Sequence, residues 1–407
     1  MNIAVIGGGA AGFFAAINCA ALYPRHTVSL FEKSNKVLSK VRISGGGRCN
    51  VTHACFENAR LIEYYPRGKK ELRNAFSRFS TSDTVQWFES RGVKLKTEAD
   101  GRMFPITDNS ETIIHCLQNE AAKSEVKIKM NYALQSVLKR STGKFELQFQ
   151  HGEKLNFDKV IITTGGSANK SSYDWISELS HTIIPPVPSL FTFNIPGSPL
   201  KGLEGISSQS ANVRLEGAKL DSTGPILITH WGISGPAVLR LSAFAARWLF
   251  DNNYMATCYI NWIPGMNEEN TRSELFSLKE DSPNKKMSGL SFHGLPSRLW
   301  QCLCLLSGIE ADDKCSEVNK AKLNKLVQHC CRLALQIKGK TTFKEEFVTC
   351  GGINLKEVNM QTMESQKVKG LYFAGEVLDI DGVTGGFNFQ AAWTTGFLAG
   401  ASAGEEV

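Results

Sequence analysis

The first 165 residues alternate between short apolar runs and longer segments in which apolar positions repeat as they do on a helix. Residues 2–6 are a strand-like apolar run, residues 10–22 carry the apolar residues of a packed helix, and residues 27–31 are a second strand-like run that ends at Glu32. This order of strand, helix and strand predicts a βαβ unit.

Further helices and strands are predicted in the same part of the chain. Apolar residues recur at three- and four-residue steps over residues 70–91 and 110–123, which predicts two helices. The last predicted strand of this part leads into Thr164-Gly165-Gly166. The strand-like runs are 126–130, 134–139, 144–150 and 155–163.

The pattern changes after the proline-rich segment 185–188. Residues 190–262 alternate apolar and polar positions between glycines, as antiparallel strands do. Residues 267–338 are polar, with a helical apolar stripe from Leu323 to Leu335, and glycines return from Thr349 onward. We therefore predict a discontinuous domain of residues 1–188 and 343–407, an inserted β domain over 189–264 with strands near 338–347 as candidate members, and a helical subdomain over 265–338.

Composition narrows the class of protein. The 407 residues are 42% hydrophobic and 21% charged, which excludes a disordered chain, and no apolar run approaches the ~20 residues of a membrane helix. Without a basic leader, a cytoplasmic protein with reduced cysteines is expected, and no cysteine pair has zinc-binding spacing, so no metal site is predicted. The net charge of +7 is mild and its basic residues are dispersed, which argues against a nucleic-acid partner.

The first chemical signal is Gly7-Gly8-Gly9-Ala10-Ala11-Gly12, a GxGxxG sequence between a predicted strand and a predicted helix. The first glycine permits a tight turn, the second lets the backbone approach a pyrophosphate, and the third lets helix and strand pack closely. Glu32 follows Gly12 by 20 residues, where an acid can accept hydrogen bonds from an adenosine ribose. Together these features predict dinucleotide binding.

A second glycine cluster, Ser44-Gly45-Gly46-Gly47-Arg48-Cys49-Asn50, begins 12 residues after Glu32. Three consecutive glycines allow bare backbone to lie against a ligand, and Arg48 can offset phosphate charge or orient a flavin-side group. A nicotinamide dehydrogenase would usually continue with further βαβ repeats here. The cluster therefore favours FAD over NAD as the resident dinucleotide.

At this point the sequence resembles the BaiN-like, aminoacetone-oxidase-like bacterial flavoproteins of the glutathione-reductase-type FAD superfamily. The resemblance covers nearly the whole chain and rests on four strings, at 7–12, 44–52, 228–242 and 370–396. It implies an α/β fold in which a Rossmann-like FAD-binding domain is interrupted by an inserted β-barrel-like domain with a small helical subdomain. It also implies non-covalent FAD.

Carried over by position, the resemblance assigns several groups of residues to the cofactor. The glycine turn and Glu32 with Lys33 take the pyrophosphate and the adenosine ribose, and Leu134 offers backbone to the adenine. The second glycine cluster lies along the flavin, Thr164-Gly165-Gly166 crosses the cofactor, and Glu376 binds the ribityl chain. A helix predicted over 389–400 points its first N–H groups at the flavin pyrimidine. The predicted cofactor residues are Gly7, Gly9, Ala10, Ala11, Gly12, Glu32, Lys33, Ser44, Gly45, Gly46, Arg48, Cys49, Asn50, Leu134, Thr164, Gly165, Gly166, Gly375, Glu376, Gly386, Phe387 and Asn388.

The predicted function is hydride or two-electron transfer between flavin N5 and a small organic molecule, with NAD(P)H as a candidate transient donor. An oxidase that uses oxygen on a small amine is one alternative, and a flavoenzyme acting on nucleic acid is a weaker one. Cys49 and His230 are the candidates for a catalytic side chain, and Asp379 and Asp381 are interpreted as turn acids. Phe191, Phe193 and Trp231 are hypothesised to line an apolar substrate site.

Overall fold

The computed structural model describes residues 1–167, 169–341 and 348–406. These divide into two compact units: the split unit, residues 1–189 and 348–406, and the inserted unit, residues 190–341. The predicted domain boundary at residue 343, and the predicted strand positions from 342 to 347, lie outside the described residues.

Both units mix helices and strands. The strands β1 to β20 are, in chain order, Asn2–Ile6, Thr27–Glu32, Thr52–His53, Leu95–Thr97, Arg102–Pro105, Lys127–Met130, Leu134–Lys139, Phe145–Phe149, Lys154–Phe157, Lys159–Ile162, Ile183–Ser189, Thr192–Asn194, Ser207–Leu215, Leu220–Thr229, Gly232–Ser234, Met255–Asn261, Leu333–Lys338, Lys340–Thr341, Val348–Ile353 and Leu371–Phe373. The helices α1 to α13 are Ala10–Leu22, Ser39–Gly47, Asn58–Leu61, Lys69–Phe76, Thr81–Glu89, Glu111–Lys123, Asp174–Ser177, Pro236–Phe244, Ala246–Asp251, Glu268–Asp281, Ser297–Leu306, Lys320–Arg332 and Phe387–Gly404.

A five-stranded parallel sheet forms the centre of the split unit, in the order β20-β10-β1-β2-β6. Apolar residues fill its middle strands because both faces are covered. The carboxyl ends of all five strands lie at one edge, which is where α/β proteins bind their ligands. This arrangement confirms the predicted Rossmann-type α/β fold.

Helices α1 and α13 pack against each other with their backbones nearly touching. A Cβ atom added to Gly396 would lie 2.6 Å from the Ala11 carbonyl oxygen, and one added to Gly400 would lie 2.3 Å from that of Ala15. Glycine at both positions is therefore required for this contact. The helix that the sequence predicts over 389–400 is real but longer, spanning Phe387–Gly404.

The prediction of one continuous helix over residues 70–91 is wrong, because the segment forms two helices, α4 and α5. Ser80 starts α5 with a capping box: its backbone N–H donates to the Asp83 carboxylate at 2.6 Å. Ser–Asp caps of this kind satisfy the first N–H groups of a new helix, so the chain turns between the two.

A barrel forms the core of the inserted unit. Its strands pair in the order β17-β16-β13-β14-β15-β12-β18, and β17 and β18 are consecutive segments separated only by Gly339. One stretch of chain therefore pairs with β16 on one side and, past Gly339, with β12 on the other, which closes the sheet. Closure removes the exposed sheet edges.

Two features of this unit differ from the sequence predictions. The predicted helical stripe extends too far, because α12 ends at Arg332 and Leu333–Lys338 is a strand whose residues are alternately buried and exposed. The predicted run of strands over 190–262 is interrupted by α8 and α9.

Phe191 and Phe193 belong to the hydrophobic core of this unit, which removes them as substrate-lining residues.

No helix in the described part of the chain is long and apolar enough to cross a membrane. Within the same residues, no group of three or more His, Cys, Asp or Glu side chains could hold a metal ion.

His181 makes the stability of the split unit depend on pH. Ser365 Oγ accepts the backbone N–H groups of Lys367 and Val368, so its single proton is left for His181 Nε2, 2.7 Å away. The buried imidazole is thus held neutral, and its burial lowers its pKa. Below pH ~6.5 the His181 imidazole takes up a proton in the unfolded chain but stays neutral in the folded chain. The free energy of unfolding therefore falls as the pH drops, by at most ~1.4 kcal/mol per pH unit.

We expect H181Q to lose less stability than wild type between pH 7.5 and pH 5.5, as measured by urea unfolding. H115Q, which removes an exposed imidazole from α6, serves as the control and should follow wild type. Equal losses in H181Q and wild type would show that His181 is not the titrating group.

Candidate cofactor-binding site

The glycine turn that follows β1 packs against the first residue after β10. The Gly7 N–H donates to the Phe31 carbonyl at 2.8 Å, and a Cβ at Gly7 would lie 2.4 Å from the Thr163 carbonyl oxygen. A Cβ at Gly12 would lie 1.9 Å from the Gly7 carbonyl oxygen. Both glycines are required by backbone contacts, as the motif predicts.

Gly9 differs from these two glycines, because a Cβ added there would meet no atom of the described residues within 4 Å. It precedes α1, whose amino end has neither a side-chain cap nor an acidic residue in its first turn, where Ala10 and Ala11 lie. The first N–H groups of the helix are thus not covered by a side chain and can face an anion.

Glu32 ends β2 beside this turn. Its Oε2 accepts the Gly8 N–H at 2.8 Å, while Oε1 accepts the N–H and the hydroxyl of Ser34, each at 2.9 Å. These bonds fix the carboxylate at the sheet edge, where it can also accept ribose hydroxyls. The neighbouring Lys33 is exposed.

The second glycine cluster forms a left-handed loop at the end of α2. Gly45, Gly46 and Gly47 have φ values of 58°, 69° and 83°, and Cβ atoms at Gly46 and Gly47 would meet nothing within 4 Å. The Ser44 carbonyl accepts the Cys49 N–H at 3.0 Å and closes the loop. The result is a stretch of bare backbone facing open space, as the sequence predicts.

Arg48 is held by carboxylates of its own chain. Its Nη1 donates to Glu98 at 2.6 Å and lies 3.5 Å from Asp108, and the guanidinium sits 4.0 Å from the centre of the Phe104 ring. These contacts brace the glycine loop against β5. A direct role of Arg48 toward the cofactor stays a prediction.

Cys49 and Asn50 are both buried. Burial raises the pKa of the Cys49 thiol to about 12, so it is not a thiolate near neutral pH and the geometry disfavours a catalytic role. The Asn50 amide, oriented to satisfy its neighbours, accepts the Gly386 N–H at 2.9 Å and donates to the Thr52 carbonyl at 2.9 Å. Asn50 therefore positions the start of α13.

After β10, Thr163 makes the contacts of this turn, although the predicted motif begins at Thr164. The Thr163 hydroxyl donates to the carbonyls of Ile6 and Gly7, at 2.9 Å each, whereas Thr164 is exposed. The only available signal was the Thr-Thr pair, which does not show which hydroxyl turns inward. A Cβ at Gly165 would meet nothing within 4 Å.

Glu376 joins three segments at the sheet edge. Its Oε1 accepts the Thr349 N–H at 2.9 Å, and its Oε2 pairs with Lys40 at 2.6 Å. Gly166 packs against this group, since a Cβ there would lie 2.7 Å from the Thr349 hydroxyl and 2.8 Å from Glu376 Oε1. Gly375 precedes it with φ +76°, and its N–H donates to Thr395 at 2.9 Å.

The start of α13 is fixed from several sides. Gly386 precedes the helix with φ 94°, and the helix has no side-chain cap and no acid in its first turn. Phe387 stacks against both His53 and Tyr64, with ring centres 4.7 and 4.2 Å away. The Asn388 amide exchanges two hydrogen bonds with the backbone of Gly382, at 2.8 and 2.9 Å, so it braces the preceding loop.

The interpretation of Asp381 as a turn acid is wrong. Its carboxylate is fully buried and forms a two-bond ion pair with Arg67, and the Ser189 hydroxyl donates to it at 2.8 Å. A buried carboxylate needs such partners because water cannot solvate it. The pair ties the loop between Glu376 and α13 to the rest of the split unit.

Leu134, His230 and Trp231 lie outside the turns described above. Leu134 starts β7 and pairs with Phe149, half-buried. His230 and Trp231 form the exposed turn between β14 and β15 of the inserted unit, with Trp231 60% exposed.

These residues fit a dinucleotide. Four glycines, Gly9, Gly46, Gly47 and Gly165, would point a Cβ into open space, so a ligand can approach their backbone. Two helices begin at the site without side-chain caps and can face the pyrophosphate and a carbonyl that gains negative charge. Glu32 supplies the acceptor that a ribose requires.

Comparison with known proteins agrees with this geometry. The family described as the HI0933-like protein Rossmann domain matches residues 1–402. A 3-dehydro-bile acid delta(4,6)-reductase from Clostridium scindens is 29% identical, with 99% of each chain covered. A ribosomal RNA dihydrouridine synthase from Haemophilus influenzae is also 29% identical, over 98% of this chain and 97% of that protein.

A solved structure shows the same fold. The 3-ketosteroid-delta4-(5alpha)-dehydrogenase from Rhodococcus jostii has a TM-score of 0.53 at 13% identity, covering 99% of this chain and 96% of that one. The predicted resemblance and the predicted class of enzyme are thus confirmed at the level of family and fold. The chain belongs to the HI0933-like Rossmann family of FAD-dependent oxidoreductases.

Proposed function

We propose that this enzyme uses FAD to add a hydride to a carbon–carbon double bond conjugated with a carbonyl group. The supporting observation is that two relatives, each 29% identical over nearly the whole chain, are named for reductions of such bonds. One name refers to delta(4,6) bonds of a 3-dehydro bile acid, the other to the uracil bond whose reduction gives dihydrouridine. A double bond of this kind accepts hydride at its β-carbon and a proton at its α-carbon.

The chain's own residues would hold four parts of the cofactor. The first turn of α1 would face the pyrophosphate, and Glu32 would accept the adenosine ribose hydroxyls. The bare loop Gly45–Gly47 would lie along the flavin half, and Glu376 would bind the ribityl chain. Bound FAD would supply two-electron transfer at its N5.

The first turn of α13 would stabilise the reduced state electrostatically. Its N–H groups would face the pyrimidine carbonyl of the flavin, where reduction places negative charge. Asn50, Tyr65 and Phe387 keep this helix end in place: Asn50 accepts from Gly386, and the Tyr65 hydroxyl donates to the Phe387 carbonyl at 2.6 Å. Donors fixed in advance do not have to reorganise during the reaction.

We further propose NAD(P)H as the electron donor. Reduction of a double bond needs an external reductant, and the sequence carries one GxGxxG, which the resident dinucleotide would occupy. NAD(P)H would therefore visit transiently rather than bind in a second Rossmann unit.

Anaerobic reduction of the flavin tests this function. We expect NADH or NADPH to bleach the oxidised flavin band, and an α,β-unsaturated ketone or a uridine-containing RNA to restore it; a saturated ketone is the matched control. Small amines should leave the band unchanged. Bleaching by an amine, with none by either nicotinamide, would make the protein an oxidase and overturn the proposal.

A further inference from the structure

Four polar side chains meet in the core of the split unit, and all four residues are fully buried. They are Thr52 of β3, Thr84 of α5, and Gln390 and Thr394 of α13. The Thr52 hydroxyl donates to Gln390 Oε1 at 2.6 Å. Gln390 Nε2 in turn donates to the hydroxyls of Thr84 and Thr394, at 2.9 and 3.1 Å. This Gln390 network therefore joins three elements that are far apart in the chain.

The network fixes the direction in which the Gln390 carboxamide points. The hydroxyls of Thr84 and Thr394 donate to backbone carbonyl groups just before α5, at 3.2 and 3.0 Å. Because each hydroxyl has one proton, both can only accept from Gln390, and its NH₂ group has two donors to offer. Thr52 supplies the donor that the carboxamide oxygen needs. Rotation of α13 about its axis would break these bonds where water cannot replace them.

Gln390 lies one turn inside the amino end of α13. Its backbone N–H donates to the Gly386 carbonyl at 2.9 Å, which starts the hydrogen bonding of the helix. The N–H groups of Phe387, Asn388 and Phe389 come before it and have no partner within the helix. Side chains on a helix lean back toward its amino end, so the Gln390 network holds this first turn from the core side.

We infer that Gln390 is a positioning residue that sets the rotation of α13 and thereby aims its first-turn N–H groups at the flavin. The inference rests on the proposed function, in which these groups face the pyrimidine carbonyl where reduction places negative charge. Donors stabilise that charge best when they are aimed at it before it forms. Buried polar pairs add little net stability over apolar side chains of the same shape, so we assign the network to geometry.

The midpoint potential of bound FAD tests the inference, because it measures how much more tightly the protein binds reduced than oxidised flavin. Q390M/T52V replaces both partners of one hydrogen bond by apolar side chains of similar shape, so the apoprotein should unfold close to wild type. We expect its preference for reduced flavin to fall about tenfold, which lowers the two-electron potential by ~30 mV. A chemical reductant and a reference dye replace NAD(P)H and substrate, so failure here is distinguishable from failure of the proposed function.

The control N18L removes a carboxamide of the same kind from α1. Asn18 is buried, donates to the Phe14 carbonyl at 2.6 Å and accepts from Trp87 of α5 at 3.1 Å. Its loss leaves the Trp87 N–H unpaired, so N18L should be less stable than wild type but keep the wild-type potential. A wild-type or higher potential in Q390M/T52V, or an equal decrease in N18L, would overturn the inference. Failure of Q390M/T52V to bind oxidised FAD would also overturn it, since Gln390 would then hold the site together rather than aim the helix.

Discussion

Replacing Gly12 by alanine is expected to give a protein that neither retains FAD nor reaches wild-type stability. The added Cβ would lie 1.9 Å from the Gly7 carbonyl oxygen and 2.7 Å from the Thr163 hydroxyl, so α1 has to move away from β1. Overpacking of this kind typically costs about 1–3 kcal/mol, and here the clash is with backbone. Urea unfolding and the flavin absorbance of the purified protein measure the two effects.

Gly9→Ala provides the matched control. Its Cβ meets no protein atom within 4 Å and Gly9 has a φ of −88°, so the apoprotein should unfold within about 1 kcal/mol of wild type. Because the open space at Gly9 is where the cofactor would lie, FAD should nevertheless bind more weakly. A G12A protein with wild-type stability would contradict the packing argument, and a G9A protein with wild-type FAD affinity would contradict the assigned position of the cofactor.

The substitution D381N is expected to destabilise the split unit by about 3–5 kcal/mol, because it leaves the Arg67 guanidinium without its buried counter-charge. Asp381 is fully buried, and Arg67 is only 13% exposed in its side chain. Replacement of both residues, as R67M/D381L, removes the two charges together and should recover much of the loss. Thermal and urea unfolding of R67M, D381L and R67M/D381L beside wild type complete a double-mutant cycle.

If D381N unfolds as wild type does, the pair does not stabilise the fold in the way described. If the double variant is as unstable as the single one, packing rather than charge explains the loss. Loss of the pair should also affect cofactor binding. Asp381 precedes Gly382, whose N–H donates to Asn388 in the first turn of α13. We therefore expect D381N to retain less FAD than wild type.

The sequence predicts the split unit better than the inserted one, and the reason is local patterning. The βαβ unit and the glycine turns depend on residues close together in the chain, and the spacing of Gly7, Gly12 and Glu32 follows from one strand and one helix. The structure places β1, α1 and β2 at Asn2–Ile6, Ala10–Leu22 and Thr27–Glu32, where the apolar pattern predicts them.

Elements that depend on distant pairing were harder to predict. Leu333 and Leu335 continue an apolar stripe that α12 begins, but pairing of Leu333–Lys338 with β16 makes the segment a strand. Phe191 and Phe193 looked like ligand contacts because aromatic residues suit both a pocket and a core. Asp381 resembles any acid beside a glycine until Arg67, more than 300 residues earlier, is brought against it.

The same limit applies to the cofactor site. The Thr163 and Asn50 side chains hold glycine segments through hydrogen bonds whose partners come from other elements. A motif identifies the backbone that faces a ligand, but not the side chains that support it from behind. Arg48 lies within the motif itself, but the motif does not reveal that the side chain is bound by Glu98 and Asp108, which come from later in the chain.

The close contact between α1 and α13 has a consequence for how the protein is made. Ala11 meets Gly396, about 385 residues later, so at 5–20 residues per second a ribosome needs roughly 20–80 s between the two. During that time the face of α1 that packs on α13 has no partner, whereas the inserted barrel can close as soon as residue 341 has emerged. Removal of Phe387–Gly404 should therefore leave a chain whose first helix stays bound to chaperones.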